Sequence, residues 1–205
     1  NDMGVDDIYF GYASSAPSVA SNPVAASVTT FTTSVLLTVH DSSALAYQEN
    51  GSAVQLDPAA TTTSSSGWNG GKLEAQITSG GVSTDRLSIS DSDGVAPSIS
   101  VSGTNLLSGS SVIGTLSASG GMVAGSTKLT ITFNGNATNS IVQEVLQSIR
   151  YDNSGENPGS GTRTVTLTAT DPSNNSASGM RTIAVTAVND APVTSLISNP
   201  YAIHL

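Results

Sequence analysis

The chain has no cysteine, only six basic residues, and 4% aromatic residues among its 205 positions. Without cysteine there is no disulfide framework, so stability has to come from core burial or bound metal. Fifteen acidic residues against six basic ones give a net charge of −9, and no Lys/Arg cluster interrupts that field. Such a surface repels nucleic acid and anionic membranes and favours cations. No apolar run approaches the ~20 residues of a membrane-spanning helix. Catalytic signatures are missing too. There is no cysteine nucleophile, no His-Glu-x-x-His and no Gly-x-Ser-x-Gly, and the two histidines, His40 and His204, stand far apart in sequence. An enzyme is not expected. The chain opens at Asn1 without a signal peptide, as expected of a processed or excised form.

What is present is Ser, Thr and Gly in abundance, with 37% hydrophobic residues arranged in short alternating runs. That mixture reads as β-rich and loop-rich, and not as disordered. Strand signals fall at residues 28–39, 45–51, 54–56, 72–78, 85–89, 98–101, 112–116, 129–133 and 150–153. The clearest pair is residues 163–171 and 181–188, joined by a Pro/Asn/Ser turn and running into Val188-Asn189-Asp190-Ala191-Pro192. Residues 61–71 read as a polar loop around Trp68, and Asp91-Ser92-Asp93-Gly94 as a hairpin turn. One segment breaks the period of two. Ile141, Val142, Val145, Leu146 and Ile149 fall on one helical face behind a candidate N-cap, Thr138, which predicts a helix at about 139–148. Many short strands, Gly/Pro turns and one helix define an all-β sandwich, with the helix closing an open end of its core.

Several motifs in order resemble a known family. They are Tyr47-Gln-Glu-Asn-Gly51, Gly70-Gly-Lys-Leu73, Asp85-Arg-Leu87, Asn136-Ala-Thr138 with the following helix, Ile149-Arg-Tyr-Asp-Asn153, Glu156-Asn-Pro158, Arg163-Thr-Val-Thr166 and Val188-Asn-Asp-Ala-Pro192. Together they resemble the cadherin-like repeats of large bacterial surface proteins and adhesins, over residues 45–192. The resemblance implies a Greek-key, immunoglobulin/cadherin-like β-sandwich, strung in tandem at a bacterial cell surface, with Ca²⁺ at the junctions between modules. By that pattern Glu49, Asp171, Asn189 and Asp190 are the expected ligands. One departure stands out. Family members carry an Asp-rich stretch before the Gly-Gly pair, where this chain has Thr61-Thr-Thr-Ser-Ser-Ser-Gly67.

Calcium takes six to eight oxygens, and its affinity follows how many are charged. Glu49, Asp171 and Asp190 offer three carboxylates and Asn189 an amide or backbone oxygen. The alternative is that Asp171 only starts a turn and that 189–192 only ends a strand. The matched module leaves residues 1–44 as an N-terminal extension and 193–205 as a tail. Ile8, Tyr9 and Phe10, or Val193, Leu196 and Ile197, could add as a strand to a neighbouring sheet. Three functions follow as expectations. The first is a non-enzymatic extracellular structural module for adhesion or assembly, whose partners are tandem modules or neighbouring copies. The second is a filament subunit polymerising by strand addition. The third is a carbohydrate-binding module using Trp68 against a glycan, set against the plainer reading of a loop aromatic folded onto the core.

Overall fold

Period-two burial is what turns these polar, β-branched runs into strands, and a computed structural model of the chain shows how they are assembled. It describes residues 34–91, 94 and 96–190. The chain divides into residues Asn1–Phe31 and Thr32–Leu205, and everything described lies in the second. The strands begin with β1 (Val35–Thr38), β2 (Leu45–Gln48), β3 (Val54–Gln55), β4 (Thr61–Ser64) and β5 (Lys72–Ser79). They continue with β6 (Asp85–Ile89), β7 (Ile99–Ser102), β8 (Asn105–Ser108), β9 (Ser111–Leu116) and β10 (Met122–Ala124). After β11 (Leu129–Phe133) comes the helix α1 (Asn139–Gln147), then β12 (Ile149–Asn153), β13 (Gly161–Thr170) and β14 (Ser176–Thr186).

Three sheets form. The largest runs β2-β14-β13-β5-β11-β9-β8-β7, a second runs β10-β6-β12-β3, and β1 pairs with β4 in a ribbon. The protein is an all-β sandwich with one short helix. Leu73, Ala75, Ile77, Leu129, Ile131, Val165 and Leu167 of the large sheet share one core with Leu87, Ile149 and Tyr151 of the second. Their alternation with half-exposed Thr, Gln and Glu keeps one face of β5 and β13 dry and the other wet. Among the described residues all the pairings are antiparallel except one: β2 lies parallel to β14, with Leu45 opposite Ile183 and Gln48 opposite Thr186.

The helix starts where Thr138 predicts. Its hydroxyl accepts the Ile141 N–H at 3.3 Å, and Val142, Val145 and Leu146 are buried. Burial of each such side chain contributes about 1.5–3 kcal/mol. The helix lies against β4 and is stitched there by Asn139. That side chain accepts the Ser64 N–H at 2.9 Å and the Trp68 indole N–H at 2.7 Å.

The sequence reading needs three corrections here. Residues 61–64 form a strand inside the expected polar loop, because β-branched threonines pair with β1 and Thr62 and Ser64 turn inward. The Thr62 hydroxyl donates to the Leu36 carbonyl at 2.9 Å, so its burial leaves no orphan. The strands that flank 91–94 are not a hairpin pair: β6 pairs with β10 and β12, whereas β7 pairs with β8 in the other sheet. Asp91 instead accepts the Ile99 N–H at 2.7 Å. Two short strands, β8 and β10, lie in Gly/Ser-rich stretches that show little pattern. The first described strand, β1, falls within the residues 28–39 read as strand, and its Val35 is buried in the core. Val39 just beyond it packs on β14 at Gly179, where a Cβ would come within 2.7 Å of Val39 Cγ2.

Candidate functional site

The end of the sandwich where the chain leaves β14 gathers the inward-facing polar residues. Asp85 shares a face of β6 with Leu87 and Ile89, Asn153 shares one with Tyr151 on β12, and Arg163 shares one with Val165 on β13. Alternation therefore drives all three into the interior, and they have to satisfy one another there. Asp85 is completely buried and accepts from four donors. These are the Val82 N–H at 2.7 Å, the Tyr151 hydroxyl at 2.6 Å, the Asn153 amide at 2.6 Å and Arg163 Nε at 3.1 Å. Arg163 Nη2 also donates to the carbonyls of Pro158 at 2.6 Å and Gly159 at 3.3 Å, which pins the loop before β13. Burial, then the hydrogen bond to Asp85 and its negative charge, raise the Tyr151 phenol well above its ordinary value.

Tyr47 extends this network to β2. Its hydroxyl donates to the Asn153 carbonyl at 3.2 Å and accepts the Asn153 N–H at 3.1 Å. Its ring meets Tyr151 edge-on, with centroids 5.1 Å apart. Two residues on, Glu49 is 3% exposed and its Oε2 accepts the Val188 N–H at 2.7 Å. The Glu49 backbone N–H donates to Thr186 at 2.9 Å. Glu49 thus clips the outgoing chain to the end of β2. Its second oxygen, Oε1, is buried without a hydrogen-bond partner among the described residues. Asn189 and Asp190 follow directly and are exposed.

Asp171 is elsewhere. It caps β13 at the start of β14, whereas Glu49 is level with the last residue of β14. The intervening strand is 11 residues long, which separates them by roughly 33 Å at ~3.3 Å per residue. The fold does not bring the four expected ligands together: Glu49 holds Val188, which Asn189 and Asp190 follow in the chain, and Asp171 is at the other end of β14. Asp171 organises the β13–β14 turn, accepting from the Ser173 N–H at 2.8 Å, the Asn175 N–H at 2.9 Å and the Asn175 amide at 2.9 Å. Burial works against its charge, but the donors of Asn175 and Ser173 outweigh it and hold the carboxyl below the ordinary aspartate range. Among the described residues no group of three or more His, Cys, Asp or Glu is placed to hold a metal ion.

The Trp68 ring is 1% exposed, bonded to Asn139 and packed edge-on against Phe133 at 5.9 Å. No ring face is left for a sugar to stack on. Ile8, Tyr9, Phe10, Val193, Leu196 and Ile197 lie outside the described residues. Sequence reasoning missed the Asp85–Arg163 network, although the signal was there: Asp, Asn and Arg occupy positions whose parity matches the buried apolar residues of their own strands.

Searches of family models, curated proteins and solved structures return no match to this chain. Among the described residues, no helix is long and apolar enough to cross a membrane.

Proposed function

We propose that this sandwich is a non-enzymatic structural module of an extracellular surface protein, built to carry tension between its two ends in adhesion or assembly. The observation that supports this reading most is the parallel pairing of β2 with β14. Tension applied before β2 and after β14 pulls these strands in opposite directions along their axes. All of their hydrogen bonds are then loaded together and do not open one at a time. The Glu49 clip on Val188 and the Tyr47 bridge to Asn153 reinforce the same junction.

Calcium enters this reading at one end only. Among the described residues Glu49 Oε1 has no hydrogen-bond partner and is a carboxylate oxygen in want of a donor or cation, and Asn189 and Asp190 follow the Val188 that Glu49 holds. These supply fewer than the six to eight oxygens calcium takes, so the remaining ligands come from an adjoining module. The ion would add rigidity where the chain exits. Extension of single molecules from both ends, in calcium and then in EDTA, tests both parts. One abrupt rupture per molecule is expected, at lower force after chelation. Gradual, low-force lengthening in both buffers would refute the load-bearing reading. Rupture indifferent to chelation would remove calcium alone.

A further inference from the structure

We propose that the Asp57–Pro58 peptide bond is a site of acid-triggered self-cleavage, with the Asp57 carboxylate as nucleophile and His40 as proton source. Four features converge in this turn. The Asp57 side chain is 5% exposed and aimed forward over its own peptide bond, with Oδ1 accepting the Ala59 N–H at 2.9 Å. The carbonyl to be attacked already accepts the Ala60 N–H at 3.2 Å, a donor placed to stabilise negative charge on that oxygen. His40 stands on the other carboxylate oxygen, its backbone N–H at 2.6 Å and its Nδ1 at 3.1 Å from Oδ2. Pro58 is exposed, so water reaches the bond.

The step balances without a co-reactant other than water. Asp57 Oδ1 attacks the Asp57 carbonyl carbon, forming a cyclic anhydride as the carbon–nitrogen bond to Pro58 breaks. The departing nitrogen takes a proton from the His40 imidazolium, which is replenished by solvent. Water then opens the anhydride, leaving Asp57 as a carboxyl terminus and Pro58 as a free secondary amine. Holding nucleophile and electrophile in one turn supplies the proximity. Besides His40, the charged groups facing this turn are Arg181 and Asp41. Arg181 Nε donates to the Leu56 carbonyl at 2.8 Å, and Arg181 is itself paired with Asp41 at 3.1 Å.

The chain carries its own control. Asp171–Pro172 has the same local geometry, with the carboxylate on Ser173 N–H and the carbonyl on Asn174 N–H at 3.0 Å. Its carboxylate is held by the amides of Ser173 and Asn175, and among the described residues no imidazole stands beside it. A cut at Asp57 falls between β3 and β4. The strands before it stay paired, β1 with β4, β2 with β14 and β3 with β12, so the pieces part only on unfolding.

To test this, the folded full chain is held in mild acid and at mildly alkaline pH. Both samples are followed by denaturing gel and intact mass. A fragment beginning at Pro58 should accumulate only in acid, with the Asp171–Pro172 bond intact. His40→Ala and Pro58→Ala, both at exposed positions, should slow the cut by roughly 10²-fold at unchanged melting temperature. A chain that stays whole in acid, equal cutting at both bonds, or His40→Ala cut as fast as the parent would each overturn the proposal.

Discussion

Replacing Arg163 by Met leaves Asp85 buried with three neutral donors and no cation, and uncovers the carbonyls of Pro158 and Gly159. Arg163 is 4% exposed and Asp85 fully buried, so solvent does not compensate either loss. Removing one partner of such a pair costs about 3–5 kcal/mol, a large part of the ~5–15 kcal/mol that holds a typical domain together. With a urea m-value of ~2 kcal/mol per molar, the midpoint should fall by roughly 2 M. The buried Trp68 reports unfolding by fluorescence near neutral pH. Adding Asp85→Asn to Arg163→Met removes the stranded charge while keeping acceptor capacity for Tyr151 and Asn153. The double variant should therefore recover part of the loss, with a coupling of about 0.5–3 kcal/mol. A cost for Arg163→Met below ~1 kcal/mol, or strict additivity in the double variant, would refute the view that this pair organises the end of the sandwich.

Other outcomes follow from the same structure. Gly179→Val should destabilise by about 1–3 kcal/mol through its contact with Val39, and Val39→Ala should restore much of the loss in thermal melts. Trp68→Phe should cost about 1–3 kcal/mol through the lost indole volume in the core and the lost hydrogen bond to Asn139, whose oxygen keeps the Ser64 N–H, and should change no glycan-array signal. Burial opposes the charge of Asp41, but the Thr182 backbone and hydroxyl donors and Arg181 lower its pKa beneath the ordinary 3.8. Its contribution is thus complete above that value and is lost as pH falls through the lower, folded-state one. Melting temperature should drop below about pH 4, and less steeply in Asp41→Asn. At the alkaline end the raised Tyr151 phenol stabilises the fold up to its ordinary value of 10.0 and progressively less above it. Tyr151→Phe should flatten that limb.

Elements carrying a clear period are legible in the sequence. The helix is announced by Thr138 and a stripe of Ile, Val and Leu, and the β13–β14 hairpin by unbroken alternation around Pro172. Strand β4 is not legible, since burial of Thr62 and Ser64 depends on partners in β1 and α1 that are distant in sequence. The composition of 91–94 misleads for a related reason: it signals a bend but does not say which sheet the next strand joins. The candidate site divides in the same way. Glu49 is recognisable from its motif, but only the register of β2 on β14 shows that Asp171 is a strand's length away. The Asp85–Arg163 network was the most recoverable omission, because a charged residue at inward parity in each of two strands calls for a partner.

Whether this sandwich bears load can be asked most directly by pulling it in two directions. Anchored just before Leu45 and just after Asp190, the molecule loads β2 and β14 in shear. Anchored at Gly159 just before β13 and after Asp190, at the same end of that antiparallel pair, it opens β14 from β13 bond by bond. A load-bearing module should rupture at several-fold higher force in the first geometry, and Glu49→Gln should lower that force and leave the second unchanged. Equal forces in both geometries would mean that the parallel pairing carries no special load, and the proposed function would fall with it.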